Sequence, residues 1–208
     1  MHRLAIFAIA IAALTLTAFS LPDGDGEERY PTIEIGTDMP AADVEMTNVD
    51  GAPYTLGGSM EENGLVVVFS CNTCPFVIMW QDRYAELAAL ADENDMGFVL
   101  VNSNEAKRDG DDSPTAMSVH YKTNGYEFPY LVDEGSEVAN AFGAKTTPHV
   151  FIFDGQRALA YEGAIDDDAE GADITDTYAL DAMARIAKGK SARPATTSAV
   201  GCSIKRVD

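Results

Sequence analysis

The chain has 208 residues, of which 46% are hydrophobic, and its formal net charge is −20 at pH 7. This length and apolar content predict one domain of ordinary size with a substantial core, and they exclude a globally disordered chain. The negative charge disfavours nucleic acid and anionic membrane surfaces as partners, because both repel an acidic protein.

The first twenty residues are typical of a secretory signal peptide. A basic start at residues 1–3 precedes an apolar run at 4–19, and small residues close the segment at Ser20. The run is short for a membrane span, so we expect cleavage and no stable membrane span afterwards, with an uncleaved anchor as the alternative. The expected location is the periplasm or the exterior, where disulfides are permitted. Residues 21–30 then form an acidic leader.

Residues 31–190 are predicted to form the folded domain, and residues 191–208 a C-terminal tail that carries Cys202. The domain begins with an irregular β layer up to residue 59. Within this layer the Asn-Val-Asp-Gly turn at 48–51 indicates a hairpin.

Two cysteines follow the first strongly apolar strand. Residues 65–69 are a β-branched and aromatic run, and Cys71 and Cys74 come directly after it in Cys-x-x-Cys spacing. An amphipathic helical pattern then begins, and residues at steps of three and four mark one face of it: Phe76, Trp80, Arg83 or Tyr84, Leu87 and Ala91. Unpaired N–H groups at a helix start stabilise a thiolate, so this junction is placed for redox chemistry.

The elements after this helix predict an α/β sheet. A second apolar strand at 98–101 completes a βαβ unit with parallel strands. Ser113 and Pro114 start a helix that ends near Thr123, and a short helix is expected over 134–142. The last helix is predicted over 178–187.

A Thr-Pro pair opens the next apolar strand, at 149–153. A proline at the mouth of a strand removes a hydrogen-bond donor, and a cis Thr147–Pro148 bond would explain its presence. Residues 158–161 are the expected antiparallel partner of this strand.

Together these blocks resemble the thioredoxin fold, and more closely its peroxiredoxin-like branch, the redoxin-domain proteins of the alkyl hydroperoxide reductase and thiol-specific antioxidant superfamily. The similarity spans residues 31–205. It rests on the Cys-x-x-Cys junction, the segments at 128–133 and 161–167, Thr147–Pro148, and the Gly-Cys-Ser-Ile-Lys block at 201–205. The resemblance implies a three-layer α/β sandwich with a central mixed sheet and an N-terminal β extension. It also implies that Thr147 and Pro148 face the cysteines and offer backbone groups to an extended substrate.

Two departures from the related proteins narrow the chemistry. Peroxidases of this superfamily carry Pro-x-x-x-Thr-x-x-Cys, but Cys71 and Val67 stand at the Thr and Pro positions when the count starts from Cys74. A typical peroxidase mechanism is therefore disfavoured. Thioredoxins also keep a buried aspartate in the strand before the motif, whereas residues 65–69 contain no acid.

We expect thiol–disulfide exchange in which Cys71, at the exposed end of the motif, attacks as a thiolate and Cys74 resolves the mixed disulfide. The expected partners are a protein or small-molecule thiol or disulfide substrate and a thiol electron donor or acceptor. No cofactor is expected besides the redox-active disulfide. Cys202 is either a resolving or disulfide partner delivered by a flexible tail, or a free thiol on a frayed end.

Two alternatives belong to other functional classes. Cys71, Cys74, Cys202 and His149 could form a Cys₃His set for zinc or copper, which would make the protein a metal carrier, although our interpretation assigns no metal ligand. A non-catalytic binding module is the other alternative, and it would tolerate serine at both Cys71 and Cys74.

Overall fold

The computed structural model describes residues 29–207. The predicted signal peptide and most of the acidic leader therefore lie outside the described residues. Within the described range no helix is long and apolar enough to cross a membrane.

The structure is organised around a seven-stranded mixed sheet with the strand order β2-β1-β5-β4-β3-β7-β8. The strands of this sheet are β1 (Met46–Asn48), β2 (Pro53–Tyr54), β3 (Gly64–Ser70), β4 (Met96–Asn102), β5 (Tyr130–Val132), β7 (His149–Asp154) and β8 (Leu159–Gly163). A separate two-stranded sheet consists of β6 (Thr146–Thr147) and β9 (Cys202–Ser203). β3, β4 and β5 are parallel, whereas β7 runs antiparallel to β3 and β8 antiparallel to β7. The predicted parallel unit, the β7–β8 pair and the β1–β2 hairpin are confirmed.

Helices cover both faces of this sheet. They are α1 (Pro75–Trp80), α2 (Tyr84–Glu93), α3 (Pro114–Thr123), α4 (Glu137–Phe142) and α5 (Tyr178–Ile186). Ser113 caps α3 as its sequence predicts, with its hydroxyl accepting the N–H of Ala116 at 3.3 Å.

Every residue of β3 is buried, because each face of the strand meets its own core. Val66 and Val68 pack into the core formed with α1, α2 and α5. Leu65, Val67 and Phe69 point into the second core, which α4 completes. This arrangement explains the continuous apolar run, since a strand covered on both sides has no solvent face to mark with polar residues.

The helix after the cysteines is interrupted, contrary to the continuous pattern. A 3₁₀ turn at Gln81–Arg83 separates α1 from α2. The buried side chains are Val77, Trp80, Tyr84, Leu87 and Ala91. On the buried face of the helix, Tyr84 rather than Arg83 takes the position that the sequence pattern left open. Val77 rather than the partly buried Phe76 begins this face.

The end of α1 is tied to the acidic loop before α5. The indole N–H of Trp80 donates to Asp166 Oδ1 at 2.7 Å, and Arg83 Nε lies 3.1 Å from Asp166 Oδ2. The backbone N–H of Asp168 also donates to Asp166 Oδ1, at 3.0 Å. Because Asp166 is only 4% exposed, its carboxylate is held by these three partners rather than by water. These contacts hold the end of the helix whose start carries Cys74.

Candidate functional site

The two motif cysteines lie where β3 passes into α1. Cys71 directly follows β3, and Cys74 is the last residue before α1, with extended backbone angles of −68° and 125°. Pro75 explains this conformation, because a residue before proline avoids the helical region. The carbonyl of Cys74 accepts the N–H of Ile78 at 3.0 Å, so the regular helix starts at Pro75.

Thr147 faces both cysteines from β6. Its hydroxyl lies 3.3 Å from Cys71 Sγ, and its carbonyl oxygen lies 3.2 Å from Cys74 Sγ, where the protonated thiol donates. The bond to Pro148 is cis, which confirms that prediction. The structure thus brings together four predicted site residues from segments more than seventy positions apart.

Neither motif cysteine is exposed. Cys71 is 2% and Cys74 is 5% accessible, so the expectation of an exposed Cys71 was wrong. Cys71 lies beneath Thr147, and the Cys202 strand lies beside Cys74. Access to the pair therefore depends on its covering segments.

Cys74 is the thiol that the site stabilises as a thiolate. Hydrogen bonds lower the pKa of Cys74 to about 4, first from the Cys71 thiol and then from the Cys202 thiol and the N–H groups of Val77 and Cys202, against the effect of burial. Ionisation gives up the bond to the carbonyl of Thr147 but gains these donors. These donors therefore favour Cys74 as the thiolate of the pair.

Cys71 is held in the protonated form. Its hydrogen bond to the Cys74 sulfur raises the pKa of Cys71 well above the ordinary value, and burial adds to the rise. The carboxylate of Asp112 acts in the same direction, whereas the hydroxyl of Thr147 acts against it. Cys71 is thus suited to donate to the thiolate and to react later.

Asp112 is the centre of a buried polar network beside Cys71. It is fully buried and accepts hydrogen bonds from the backbone N–H of Asn72 at 2.9 Å, from Asn102 Nδ2 at 2.8 Å and from Asn104 Nδ2 at 3.0 Å. The hydroxyl of Tyr130 joins this network through Asn72 Oδ1 at 2.9 Å. β3 carries no acid, so Asp112 supplies the buried carboxylate from a different loop.

Sequence reasoning missed this network. Asn72 stands inside the Cys-x-x-Cys motif, Asn102 is the last residue of β4, the parallel strand next to β3, and Asn104 lies two residues further on. Polar residues at the carboxyl ends of neighbouring parallel strands meet at one sheet edge, and this signal could have identified the two asparagines. Nothing local to Asp112 distinguishes it from the acids around it.

Replacement of Asp112 by asparagine is expected to lower the free energy of unfolding by about 1–3 kcal/mol, because its new NH₂ group faces amide donors. Loss of the carboxylate also lowers the pKa of Cys71. Urea denaturation and the pH dependence of Cys71 alkylation measure the two effects. Asp109→Asn is the matched control, since Asp109 is exposed in the same loop. Equal stability of the two variants would contradict the assigned role of Asp112.

Cys202 lies in β9, which pairs antiparallel with β6, so that Cys202 stands opposite Thr147. Its thiol is within hydrogen-bonding reach of Cys74. Cys202 is a free thiol in this structure, as are Cys71 and Cys74. The expectation of a flexible or frayed tail was wrong, because residues 202–206 are held by backbone and side-chain hydrogen bonds.

His149 does not face the thiols. Its Nε2 lies 2.9 Å from Glu162 Oε2, and its Nδ1 accepts the N–H of Lys145 at 3.3 Å. Among residues 29–207 no group of three or more His, Cys, Asp or Glu side chains is arranged to hold a metal ion. The Cys₃His arrangement is thus not formed.

Comparisons with known proteins give a family and a fold. A model of the Redoxin family matches residues 34–180. A hypothetical protein from Sinorhizobium meliloti shares 32% identity, with a TM-score of 0.77 over 86% of this chain and 97% of that one. An uncharacterized conserved protein from Geobacillus kaustophilus shares 33% identity, with a TM-score of 0.78 over 86% and 95%.

A more distant structure, Peroxidoxin BcpB from Mycobacterium tuberculosis, shares 17% identity, with a TM-score of 0.52 over 76% of this chain and 95% of that one. At this identity the likeness shows the fold alone. A search of curated protein sequences finds no significant match. The predicted thioredoxin-like α/β fold is confirmed.

Proposed function

Because the chain belongs to the redoxin family of thioredoxin-fold proteins, we propose that it is a thiol–disulfide oxidoreductase whose redox centre is the pair Cys71 and Cys74. Family membership supports thiol-based redox chemistry in general. The observation that carries the specific proposal is the convergence of the two thiols on Thr147, whose hydroxyl lies 3.3 Å from Cys71 Sγ and whose carbonyl oxygen lies 3.2 Å from Cys74 Sγ.

The exchange runs in two steps. The Cys74 thiolate attacks a substrate disulfide, a Cys74–substrate disulfide forms, and one substrate sulfur leaves as a thiolate. Cys71 then loses its proton and attacks Cys74 Sγ, which forms the Cys71–Cys74 disulfide and releases the second substrate thiol. The pair loses two electrons and the substrate gains them. This order reverses the roles expected from the sequence, because the hydrogen-bond donors converge on Cys74.

Thr147 and Pro148 complete the proposed site. The two contacts of Thr147 hold the sulfur atoms at one face of the cis-Pro148 turn. The proposed partners are protein or small-molecule thiols and disulfides, with no cofactor besides the redox-active disulfide. We also propose that residues 1–20 direct export, because a Cys71–Cys74 disulfide can form and persist in an oxidising compartment.

The test is disulfide mapping of the purified protein in glutathione buffers of increasing oxidising strength. Free thiols are trapped with an alkylating agent, and the peptides are identified by mass. A Cys71–Cys74 disulfide that forms and disappears reversibly supports the proposal. A pair that stays reduced, or stays oxidised even in excess dithiothreitol, would overturn it.

A further inference from the structure

The C-terminal strand occupies the edge where an extended substrate was expected to bind. Thr146 pairs with Ser203, and Thr147 pairs with Cys202, in an antiparallel register. The backbone of the residues before cis-Pro148 therefore already has a strand beside it, and this strand belongs to the same chain. An extended peptide that delivers a sulfur atom to the site would take this same position.

The strand is seated closely and held on both sides. A Cβ on Gly201 would lie 2.3 Å from the Thr147 carbonyl oxygen, so only glycine permits this approach. After the strand, Ile204 is buried in the second core and its N–H donates to the Lys145 carbonyl at 3.0 Å. Before the strand, Thr197 N–H donates to the Glu162 carbonyl at 3.0 Å.

The strand is also connected to the network beside Cys71. Lys205 N–H donates to Asn104 Oδ1 at 2.8 Å, and Asn104 in turn donates to Asp112. Arg206 Nε donates to Asn140 Oδ1 at 2.7 Å and so fixes the end of the segment on α4. Cys202 is thus presented by a positioned strand rather than by a loose tail.

The three thiols form a path from the interior to the surface. Cys71 is the most buried, Cys74 follows it, and Cys202 is half-buried. The thiols of Cys71 and Cys202 both lower the pKa of Cys74, and Thr147, which pairs with Cys202, contacts both Cys71 Sγ and Cys74 Sγ. Cys74 is therefore the one sulfur in contact with both possible disulfide partners, and Cys202 is the one that meets solvent.

We propose that β9 is a built-in substrate strand: Cys202 exchanges with the buried Cys71–Cys74 disulfide and passes oxidising equivalents to partner thiols at the surface. The proposal rests on the proposed function and names the route by which its buried pair reaches partners. The partner class is a dithiol or two small thiols that can approach Cys202 but not Cys71.

The first step moves the disulfide within the protein. In the oxidised protein the Cys202 thiolate attacks Cys74 Sγ, the Cys71–Cys74 bond breaks and the Cys74–Cys202 bond forms. Cys71 leaves as a thiolate and takes up the proton that Cys202 released. When Cys74 is in a disulfide it carries no charge, so the repulsion that helps to raise the pKa of Cys202 in the reduced protein is removed.

The remaining steps transfer the disulfide to the partner. A partner thiolate attacks Cys202 Sγ, and Cys74 leaves as its stabilised thiolate, since a thiol of low pKa leaves fast. A second partner thiol attacks the first, which releases the partner disulfide and returns Cys202 to a thiol. Two partner thiols lose two electrons; Cys71 keeps the proton that Cys202 released, one partner proton restores the Cys202 thiol, and the other goes to solvent. A partner disulfide oxidises the pair by the reverse steps.

The first experiment uses Cys71→Ser, oxidised with glutathione disulfide and mapped by mass. A thiol on a positioned strand has an effective concentration of about 1 mM or more, so at about 0.1 mM glutathione we expect Cys74–Cys202 to exceed the Cys74–glutathione adduct about tenfold. A persistent glutathione adduct on Cys74 with Cys202 free would overturn the proposal.

The second experiment keeps all three cysteines. Gly201→Ala places a methyl group against the Thr147 carbonyl and is expected to slow oxidation of dithiothreitol by the oxidised protein about tenfold, because the positioned thiol is withdrawn. Gly110→Ala is the matched control, since its Cβ meets nothing closer than 3.8 Å. Circular dichroism verifies that both variants are folded. Oxidation by Gly201→Ala as fast as or faster than by the control would show that β9 only blocks the site.

We call the transfer of the disulfide through Cys202 the relay, and the variant Cys202→Ser separates it from the proposed function of the buried pair. The relay predicts that this variant still forms the Cys71–Cys74 disulfide but oxidises dithiothreitol about tenfold more slowly. Unchanged or faster oxidation by this variant overturns the relay alone. Failure of the wild type to form Cys71–Cys74 overturns the proposed function as well.

Discussion

Replacement of Cys74 by serine is expected to reduce the rate of thiol–disulfide exchange by a factor of about 10³ or more, since the variant loses the only stabilised nucleophile. The serine hydroxyl can still accept the N–H of Val77, so the start of α1 is kept. The rate is measured with a fluorescent disulfide peptide and excess protein. The double variant Cys71→Ser, Cys202→Ser behaves differently: it still attacks, and mixed disulfides accumulate on Cys74 because no second thiol resolves them.

Thr73→Ser is the matched control for both variants, because Thr73 is the exposed residue between the two cysteines. Its exchange rate is expected to equal that of the wild type. Mixed disulfides that accumulate on Cys71 in the Cys74→Ser protein would restore the order of attack predicted from the sequence.

The Cys71–Cys74 couple is expected to be oxidising. Because the pKa of Cys74 lies well below its ordinary value, the thiolate of the reduced pair is stabilised at pH 7, which raises the reduction potential above that of a pair with ordinary thiols. The reduced pair keeps one proton, on Cys71. The potential should therefore fall by about 30 mV per pH unit between pH 5 and pH 8, rather than by about 59 mV for two protons.

Glutathione titrations at several pH values measure this slope, and Cys202→Ser serves as the control because it removes the second disulfide. A slope near 59 mV per pH unit would show that both thiols are protonated in the reduced pair.

The same shift predicts how the stability of the reduced protein depends on pH. The pKa of Cys74 is lower in the folded protein than its ordinary value of 9.0, so the unfolded chain binds more protons between pH 4 and pH 9. The contribution of Cys74 to the free energy of unfolding thus rises with pH across this window, and it is lost as the pH falls through about 4. The oxidised protein lacks this contribution, because Cys74 carries no charge in a disulfide. The effect is measured by urea denaturation of both forms at several pH values, as the difference between the pH dependences of their free energies of unfolding.

The order of the elements around the redox pair followed from local patterns. The apolar run at 65–69 predicted a buried strand, which the structure covers on both sides, and Pro75 set the start of α1 through its effect on Cys74. Pro148 at the mouth of β7 pointed to the cis bond that the structure contains. Each of these signals lies within a few residues of the feature that it predicts.

Which thiol ionises, what covers the pair and what reaches it were decided only by the tertiary structure. Asp112 lies 40 residues from the Asn72 N–H that it accepts, and Thr147 lies 76 residues from Cys71. Sequence spacing placed the two motif cysteines together, but it assigned the exposed position to Cys71, which the structure buries. Ionisation depends on the donors that surround a sulfur atom, and for Cys74 these include groups of Cys202 that only chain folding brings near.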